Sequence, residues 1–374
     1  MTNTIKTLAL AGASLLILGT TPPQAQANID LKLGGYYAAY GVFADQSEDA
    51  GEPARNTHNF ELMNEAEVHF IGEKIFDNGL IVGTKIELEA QTNGDQIDES
   101  HIYFAGDWGR INIGSEHGAG SLLQVGAPSV DSKFDGIDPS YVPVNLGGND
   151  AVSNNSKRFI YAIGASGDSQ RDRSDKFTYL SPIMEGFQFG VSYTATGQED
   201  GSVRDGFTSS RTSGGYQDEV QLAGKWQGQV DDVLVTAGAG YLLSQKEARI
   251  PTTDDREQWN VGLNLGFKGV TVGGAYFRDD TGFSLDDRIE AVALGANYKT
   301  GPYKVGISYL NKTNEEANNT EDEATRYLVG GSYQYGPGMV FNASVHFYEL
   351  EDNLNAVGDE NDATILTIGT IVSF

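Results

Sequence analysis

From residue 29 to residue 374 the sequence alternates apolar and polar side chains with a period of two, and no stretch sustains a 3.6-residue period. The segment NFELMNEAEVHF (59–70) puts Phe60, Leu62, Val68 and Phe70 on one face and Glu61, Glu65, Glu67 and His69 on the other. LIVGTKIELEAQ (80–91) sets Val82, Thr84, Ile86 and Leu88 against Lys85, Glu87 and Glu89. The first such run, 29–43, aligns Leu31, Leu33, Tyr37 and Phe43, and the last, ATILTIGTIVSF (363–374), aligns Leu366, Ile368, Val372 and Phe374. Successive strand residues point to opposite faces, so this pattern dictates antiparallel sheet with one apolar and one charged face. A helical membrane protein is excluded: it needs repeated apolar runs of about 20 residues. Here hydrophobic residues make up only 39% of the chain.

Sixteen strands are predicted. After 29–43, 59–70 and 80–91 they fall near 97–105, 110–117, 175–181, 187–198, 217–226, 233–246, 257–267, 270–280, 287–298, 303–312, 324–335, 339–350 and 363–374. Short connections (76–79, 106–109, 181–186, 227–232, 267–269, 299–302, 336–338) alternate with longer ones, and each short one offers Gly, Pro, Asn or Asp for a tight turn. KRFIYAIG (157–164) also reads as a strand. A seventeenth strand breaks the even count of a bacterial outer-membrane barrel, so this piece is assigned to the long connection, as a local hairpin arm. No linker divides the chain, and 28–374 reads as one domain.

Residues 1–27 read as a secretory signal peptide: Lys6, an apolar stretch from Leu8 to Leu18, and Ala25-Gln26-Ala27 as a cleavage pattern. The chain has no Cys, so stability in an oxidising compartment cannot come from disulfides. The net charge of −27 disfavours nucleic acid and anionic lipid headgroups as partners and attracts cations.

A soluble β-sandwich alternates too, with its apolar row inward. Export, the short–long alternation of loops and a last strand ending in Phe374 favour instead an all-β, 16-stranded antiparallel transmembrane β-barrel. In a closed barrel the last strand pairs with the first and leaves no edge. Phe374 is then expected at the membrane–water boundary. Tyr37, Tyr193, Trp226, Tyr241, Trp259, Tyr276, Tyr309, Tyr327 and Tyr335 are further candidates for the aromatic girdles.

With these features the chain resembles the Gram-negative general porins. YLSPIMEGFQFGVSYT (179–194) is similar to the strand–turn–strand after the third loop of such porins, especially those of α-proteobacteria. The resemblance implies an outer-membrane homotrimer, surrounded by lipid, in which the third loop folds into each lumen and narrows it. It also implies passive diffusion of small hydrophilic solutes and ions.

The residues that would set permeation follow from the alternation and from the third connection, 118–174. Its first part is both acidic and apolar, with Asp131, Asp135, Asp138 and Asp150 beside Leu122, Leu123, Val125, Phe134, Tyr141 and Val142. Apolar content of this kind argues against disorder and for a loop packed on the lumen wall; an exposed, partner-binding loop is the alternative. The inward row includes Lys32, Glu61, Glu65, Glu67, His69, Lys85, Glu87, Glu89, Glu99, His101, Tyr103, Arg110, Glu116, Lys176, Glu219, Lys225, Lys304, Arg326 and His346. The resemblance sets loop acids across from a basic wall, for which Lys85 and Arg110 are the candidates. Simple pairing of those two with Glu87, Glu89 and Glu99 is the competing reading. The surplus of acids predicts cation preference.

The acidic loops 313–323 and 351–362 suit Ca²⁺ or Mg²⁺, with Asp352, Asp359 and Glu360 as candidate ligands, although no EF-hand spacing is present. No other cofactor is implied. A substrate-selective channel is one alternative and a barrel enzyme another. His69 and His101 among lumen carboxylates are the only candidate catalytic pair, and H-E-x-x-H, G-x-S-x-G and P-loop motifs do not occur.

Overall fold

The computed structural model describes residues 29–47, 58–91, 96–144, 159–164, 173–196, 215–247, 250–282, 284, 287–315, 321–351 and 360–374. Sixteen strands form one closed antiparallel barrel in sequence order, with β1 paired to β16. They are β1 (Asp30–Gln46), β2 (Phe60–Ile75), β3 (Ile81–Glu89), β4 (Ile97–Gly106), β5 (Gly109–Ser115), β6 (Asp175–Leu180), β7 (Phe187–Thr196) and β8 (Tyr216–Val230). The second half comprises β9 (Val233–Lys246), β10 (Arg256–Phe267), β11 (Val270–Asp280), β12 (Arg288–Thr300), β13 (Tyr303–Glu315), β14 (Glu321–Gly336), β15 (Met339–Glu351) and β16 (Glu360–Ser373). One short helix, α1 (Ala119–Leu122), opens the long connection between β5 and β6.

Burial along the strands is inverted relative to a soluble sheet. On β10, Arg256, Gln258 and Asn260 are buried while Trp259, Val261 and Leu263 are exposed. On β16, Asn361 and Thr367 are buried while Leu366 and Ile368 are exposed. Exposed apolar rows on strand after strand make a continuous hydrophobic belt, which is stable only against acyl chains. The barrel therefore spans the membrane with its polar row inside. Aromatic pairs mark both rims of the belt. Trp259–Tyr276 (4.9 Å) lies toward the long loops and Tyr303–Tyr333 (5.1 Å) toward the short turns.

The turns follow from local chemistry. Lys268 and Gly269 join β10 to β11 with φ of 47° and 87°, the positive values that a two-residue hairpin with right-handed strand twist requires. The turn expected at 227–232 is tighter: β8 continues through Val230, and only Asp231 and Asp232 lie between the strands, with Asp231 at φ 52°. The polar, Gly-containing run before it belongs to the sheet. The chain end closes the barrel as expected. Gly35 N–H donates to the Phe374 carbonyl (3.2 Å) and Phe374 N–H to that of Gly35 (3.1 Å). A Cβ at Gly35, whose φ is 149°, would collide with the Glu67 carbonyl.

Residues 159–164 form no strand. They are buried inside the barrel, held by the wall and by the first part of the same loop. Tyr161 N–H donates to the Ile137 carbonyl (3.0 Å) and Ile163 N–H to Gln124 Oε1 (3.0 Å). The hairpin-arm expectation is corrected: the alternation of KRFIYAIG there packs Phe159, Tyr161 and Ile163 into the apolar core.

Candidate functional site

The loop between β5 and β6 lies along the polar row of the wall, and its path can be followed strand by strand. Ala119 N–H donates to Ser192 Oγ on β7 (2.7 Å) and Gly120 N–H to Gln221 Oε1 on β8 (2.9 Å). Asn264 on β10 donates to the Gly126 carbonyl (3.0 Å), and Asn297 on β12 and Lys304 on β13 donate to that of Ser129 (3.3 and 3.2 Å). Arg326 on β14 donates to the Phe134 carbonyl (2.5 Å) and to Asp135 Oδ1 (2.8 Å). The path ends at β1 and β2, where Asp131 Oδ1 accepts from the Tyr40 hydroxyl (3.1 Å) and Lys133 Nζ meets Glu65 at 2.6 Å. Lys312 on β13 and Gln258 on β10 hold the second piece, at the Ile160 carbonyl (3.0 Å) and Gly164 N–H (2.7 Å).

Two wall glycines let the loop backbone approach this closely. A Cβ at Gly262 would overlap the Val125 carbonyl oxygen, and one at Gly295 that of Pro128. Between the polar contacts, Leu242, Phe277, Leu310, Leu328 and Tyr348 of the inward row pack against Val130, Phe134, Phe159, Tyr161 and Ile163 of the loop in one buried cluster. An inward row that mixes Leu and Phe with Arg and Gln is the sequence signal of a covered wall. It is carried by Leu242 on β9, Phe277 on β11, Leu310 on β13 and Leu328 on β14.

The loop acids thus have unequal positions. Asp131 and Asp135 are buried against the wall, so they do not face open lumen water. Asp135 pairs with Arg326, a residue the sequence placed in the lumen but not opposite the loop. Burial pushes the Asp131 carboxyl above its ordinary range, although the Lys133 amide and the Tyr40 hydroxyl both donate to it. Asp138 is exposed. Asp150 lies outside the described residues.

The opposite side of the barrel, from β1 to β5, carries the acids. A cavity of about 640 Å³ there is lined by Glu65, Glu67, Glu89 and Asp98 of the wall and by Asp138 of the loop, with Arg173 as its one guanidinium. Arg173 meets Asp98 at 2.7 Å. Lys85 does not stand free as a basic wall; it sits between Glu87 and Glu99, the latter at 3.3 Å. Arg110 lies over the Tyr103 ring, 3.9 Å from its centre, and donates to Asn112 Oδ1 (2.6 Å). Neither cation faces Asp131 or Asp135; the cations that do are Arg326 and Lys304, whose ammonium reaches both carboxylates electrostatically. A second space of about 480 Å³ lies beneath the loop, between Asp131 and the side chains of Lys299 and Lys304.

His101 and His69 do not form a pair. His101 Nε2 is 3.8 Å from Glu116, and His69 is bracketed by Glu67 (2.8 Å) and Glu87 (3.4 Å). Burial pushes the Glu116 carboxyl up to about 7, and the charge of Glu99 adds to the rise. Of the candidate Ca²⁺ ligands, Asp352 and Asp359 lie outside the described residues. Glu360 is exposed at the start of β16, opposite Glu351.

Comparison with known proteins agrees with this architecture. The sequence model described as Gram-negative porin matches residues 11–353. An uncharacterized protein of Rickettsia conorii is 25% identical over 53% of this chain and 48% of its own length; the chain spans about half of that relative. Among solved structures, the anion-selective porin from Comamonas acidovorans superposes with a TM-score of 0.62 at 14% identity, covering 92% of this chain and all of that one. The trimer form of OmpT, an outer membrane protein of Vibrio cholerae, gives a TM-score of 0.62 at 11% identity, over 92% of this chain and 99% of that one.

Proposed function

This chain belongs to the Gram-negative porin family, an outer-membrane channel by family and fold, and from that premise we propose that it passes small hydrophilic solutes and ions passively, preferring cations. One observation carries the preference. The loop spends its carbonyls and Asp135 on Lys304, Lys312 and Arg326, covering the cationic side of the wall. Among the described residues, the side it leaves open presents five carboxylates and one guanidinium around the 640 Å³ cavity, with Glu65 at its edge already paired to Lys133 of the loop. Fixed carboxylates replace part of a cation's hydration and repel anions, so the open side sets the sign of the selectivity.

The loop acts as the constriction. Its buried anchors fix its distance from the acidic wall, and that distance sets the largest solute that passes. This differs from the expected arrangement of loop acids against Lys85 and Arg110. Here the acids of the wall itself would provide the field, and Lys85 tempers it through Glu87 and Glu99. No covalent chemistry is proposed for His69 or His101.

The apolar belt and the trimeric form of one structural neighbour support a homotrimer in outer-membrane lipid. Residues 1–27 would direct export and be removed. The Comamonas neighbour, described as anion-selective, shares the fold, so the sign of selectivity must come from the side chains of each wall. The test is a planar-bilayer recording across a KCl gradient. The reversal potential should report cation preference, and Glu89→Gln with Asp98→Asn should reduce it. Anion preference in the unmodified protein would reject the proposal.

A further inference from the structure

Three side chains on β2 and β3 form a group that passive diffusion does not require. Glu67 and His69 stand two residues apart on the inward face of β2, and His69 lies directly opposite Glu87 on β3. His69 Nε2 is 2.8 Å from Glu67 Oε2 and 3.4 Å from Glu87 Oε1. One donor atom from each residue falls within 4.8 Å of the other two.

These separations carry a chemical meaning. Two ligands held at about 2.0–2.1 Å from a tetrahedral ion lie roughly 3.3 Å apart. The two distances from the imidazole nitrogen bracket that edge, and the carboxylate oxygens, within 4.8 Å of each other, complete the group on the side where an ion would close it. The surroundings hold it ready. Tyr36, opposite Glu67 on β1, places its one hydroxyl 2.5 Å from Glu67 Oε1 and 2.8 Å from Glu65 Oε1, and the shorter contact leaves Glu67 Oε2 directed at His69. Glu87 is buried, and the imidazole keeps part of its surface toward the lumen.

We propose that Glu67, His69 and Glu87 bind a divalent transition-metal ion of the Zn²⁺ class, taken from lumen water, which completes its coordination with water. An imidazole nitrogen with two carboxylates suits such ions. Ca²⁺ and Mg²⁺ instead take all-oxygen shells. Tyr36 acts from behind by orienting Glu67, as outer-shell donors do at metal sites. Lys85 is the competitor. Its ammonium contacts the Glu87 oxygen that also faces His69, and it keeps a second bond to Glu99 at 3.3 Å. A bound ion displaces Lys85 from Glu87, and Glu99 retains it.

The competition gives the test a sign that a merely structural cluster would not. ZnCl₂ is titrated calorimetrically into the purified full-length barrel in detergent, with unheated gel mobility confirming that each variant is folded. One saturable site per chain is expected, undisturbed by excess Ca²⁺. His69→Ala should weaken it at least tenfold, and Tyr36→Phe by roughly 10–100-fold. Lys85→Met should tighten it. The absence of saturable binding, equal affinity in folded His69→Ala, or displacement by Ca²⁺ would overturn the site. The bilayer arm depends on the route proposed above, whereas the titration does not. Zn²⁺ should lower the cation current of the unmodified protein and leave that of His69→Ala unchanged. Binding without an effect on current upholds the metal site and overturns the route along the acidic wall.

Discussion

Replacing Arg326 with methionine removes the strongest polar tie between the loop and the wall. The guanidinium is almost fully buried and makes two bonds, to the Phe134 carbonyl at 2.5 Å and to Asp135 Oδ1 at 2.8 Å. Asp135 then keeps only the backbone N–H groups of Val130 (3.2 Å) and Gly136 (2.8 Å). Removing one partner of a buried ion pair costs up to about 3–5 kcal/mol, an upper bound here because Lys304 still acts on the Asp135 carboxylate. At 1.36 kcal/mol per factor of ten, the ratio of docked to undocked loop falls by up to roughly two to nearly four orders of magnitude. The barrel keeps its ladder, since the backbone of residue 326 remains paired with Leu310 and Tyr348. Planar-bilayer recordings should show larger and noisier conductance, and liposome swelling should admit larger sugars, with unheated gel mobility unchanged. Adding Asp135→Leu to Arg326→Met should restore the narrow channel, because an apolar pair of similar volume carries no unpaired charge. An unchanged solute cutoff in Arg326→Met, or collapse of the whole barrel, would show that the Arg326–Asp135 tie does not hold the loop in place.

Gly262→Val should also widen the channel by pushing the Val125 carbonyl off the wall, which sugar-permeation assays would detect while the barrel still assembles. Leu294→Arg, at the middle of the outward face of β12, should cost about 2–4 kcal/mol in a lipid-vesicle unfolding titration. Glu116 has a folded-state pKa raised to about 7. Its protonated form is therefore favoured by folding, and the stability it contributes is complete below its unfolded value and lost as pH rises through about 7. Heat resistance should fall across that window, and Glu116→Gln should remove this part of the fall.

Much of the barrel was legible because a strand writes its environment locally. Glu65, Glu67 and His69 alternate with Leu62, Val68 and Phe70, and that parity fixes which face meets water and which meets lipid. Turns were legible where Gly or Asp can take positive φ, as at Lys268–Gly269. The loop's docking was not. Arg326 and Asp135 are 191 residues apart, and nothing in either neighbourhood names the other. The same limit explains KRFIYAIG. Its alternation fits a strand, but the barrel closes without it, and its backbone bonds to side chains such as Lys312 and Gln258. Lys85 and Arg110 read as open basic wall because sequence gives their row but not their partners; Glu99 and Tyr103 occupy them. The apolar inward residues Leu242, Phe277 and Leu328 held the missing information, since a wall that faces only water has no use for them.

On the proposed route the loop covers the wall from β7 to β15 and ions pass along the acidic side. The chain has no Cys, so single cysteines report on this without background. Each variant is exposed in a bilayer to a charged, water-soluble thiol reagent while current is recorded. Glu89→Cys should react quickly and lose current, whereas Asn260→Cys beneath the loop and Leu294→Cys in lipid should not react. Rapid block at Asn260→Cys with an inert Glu89→Cys would place the ion route on the other side of the barrel.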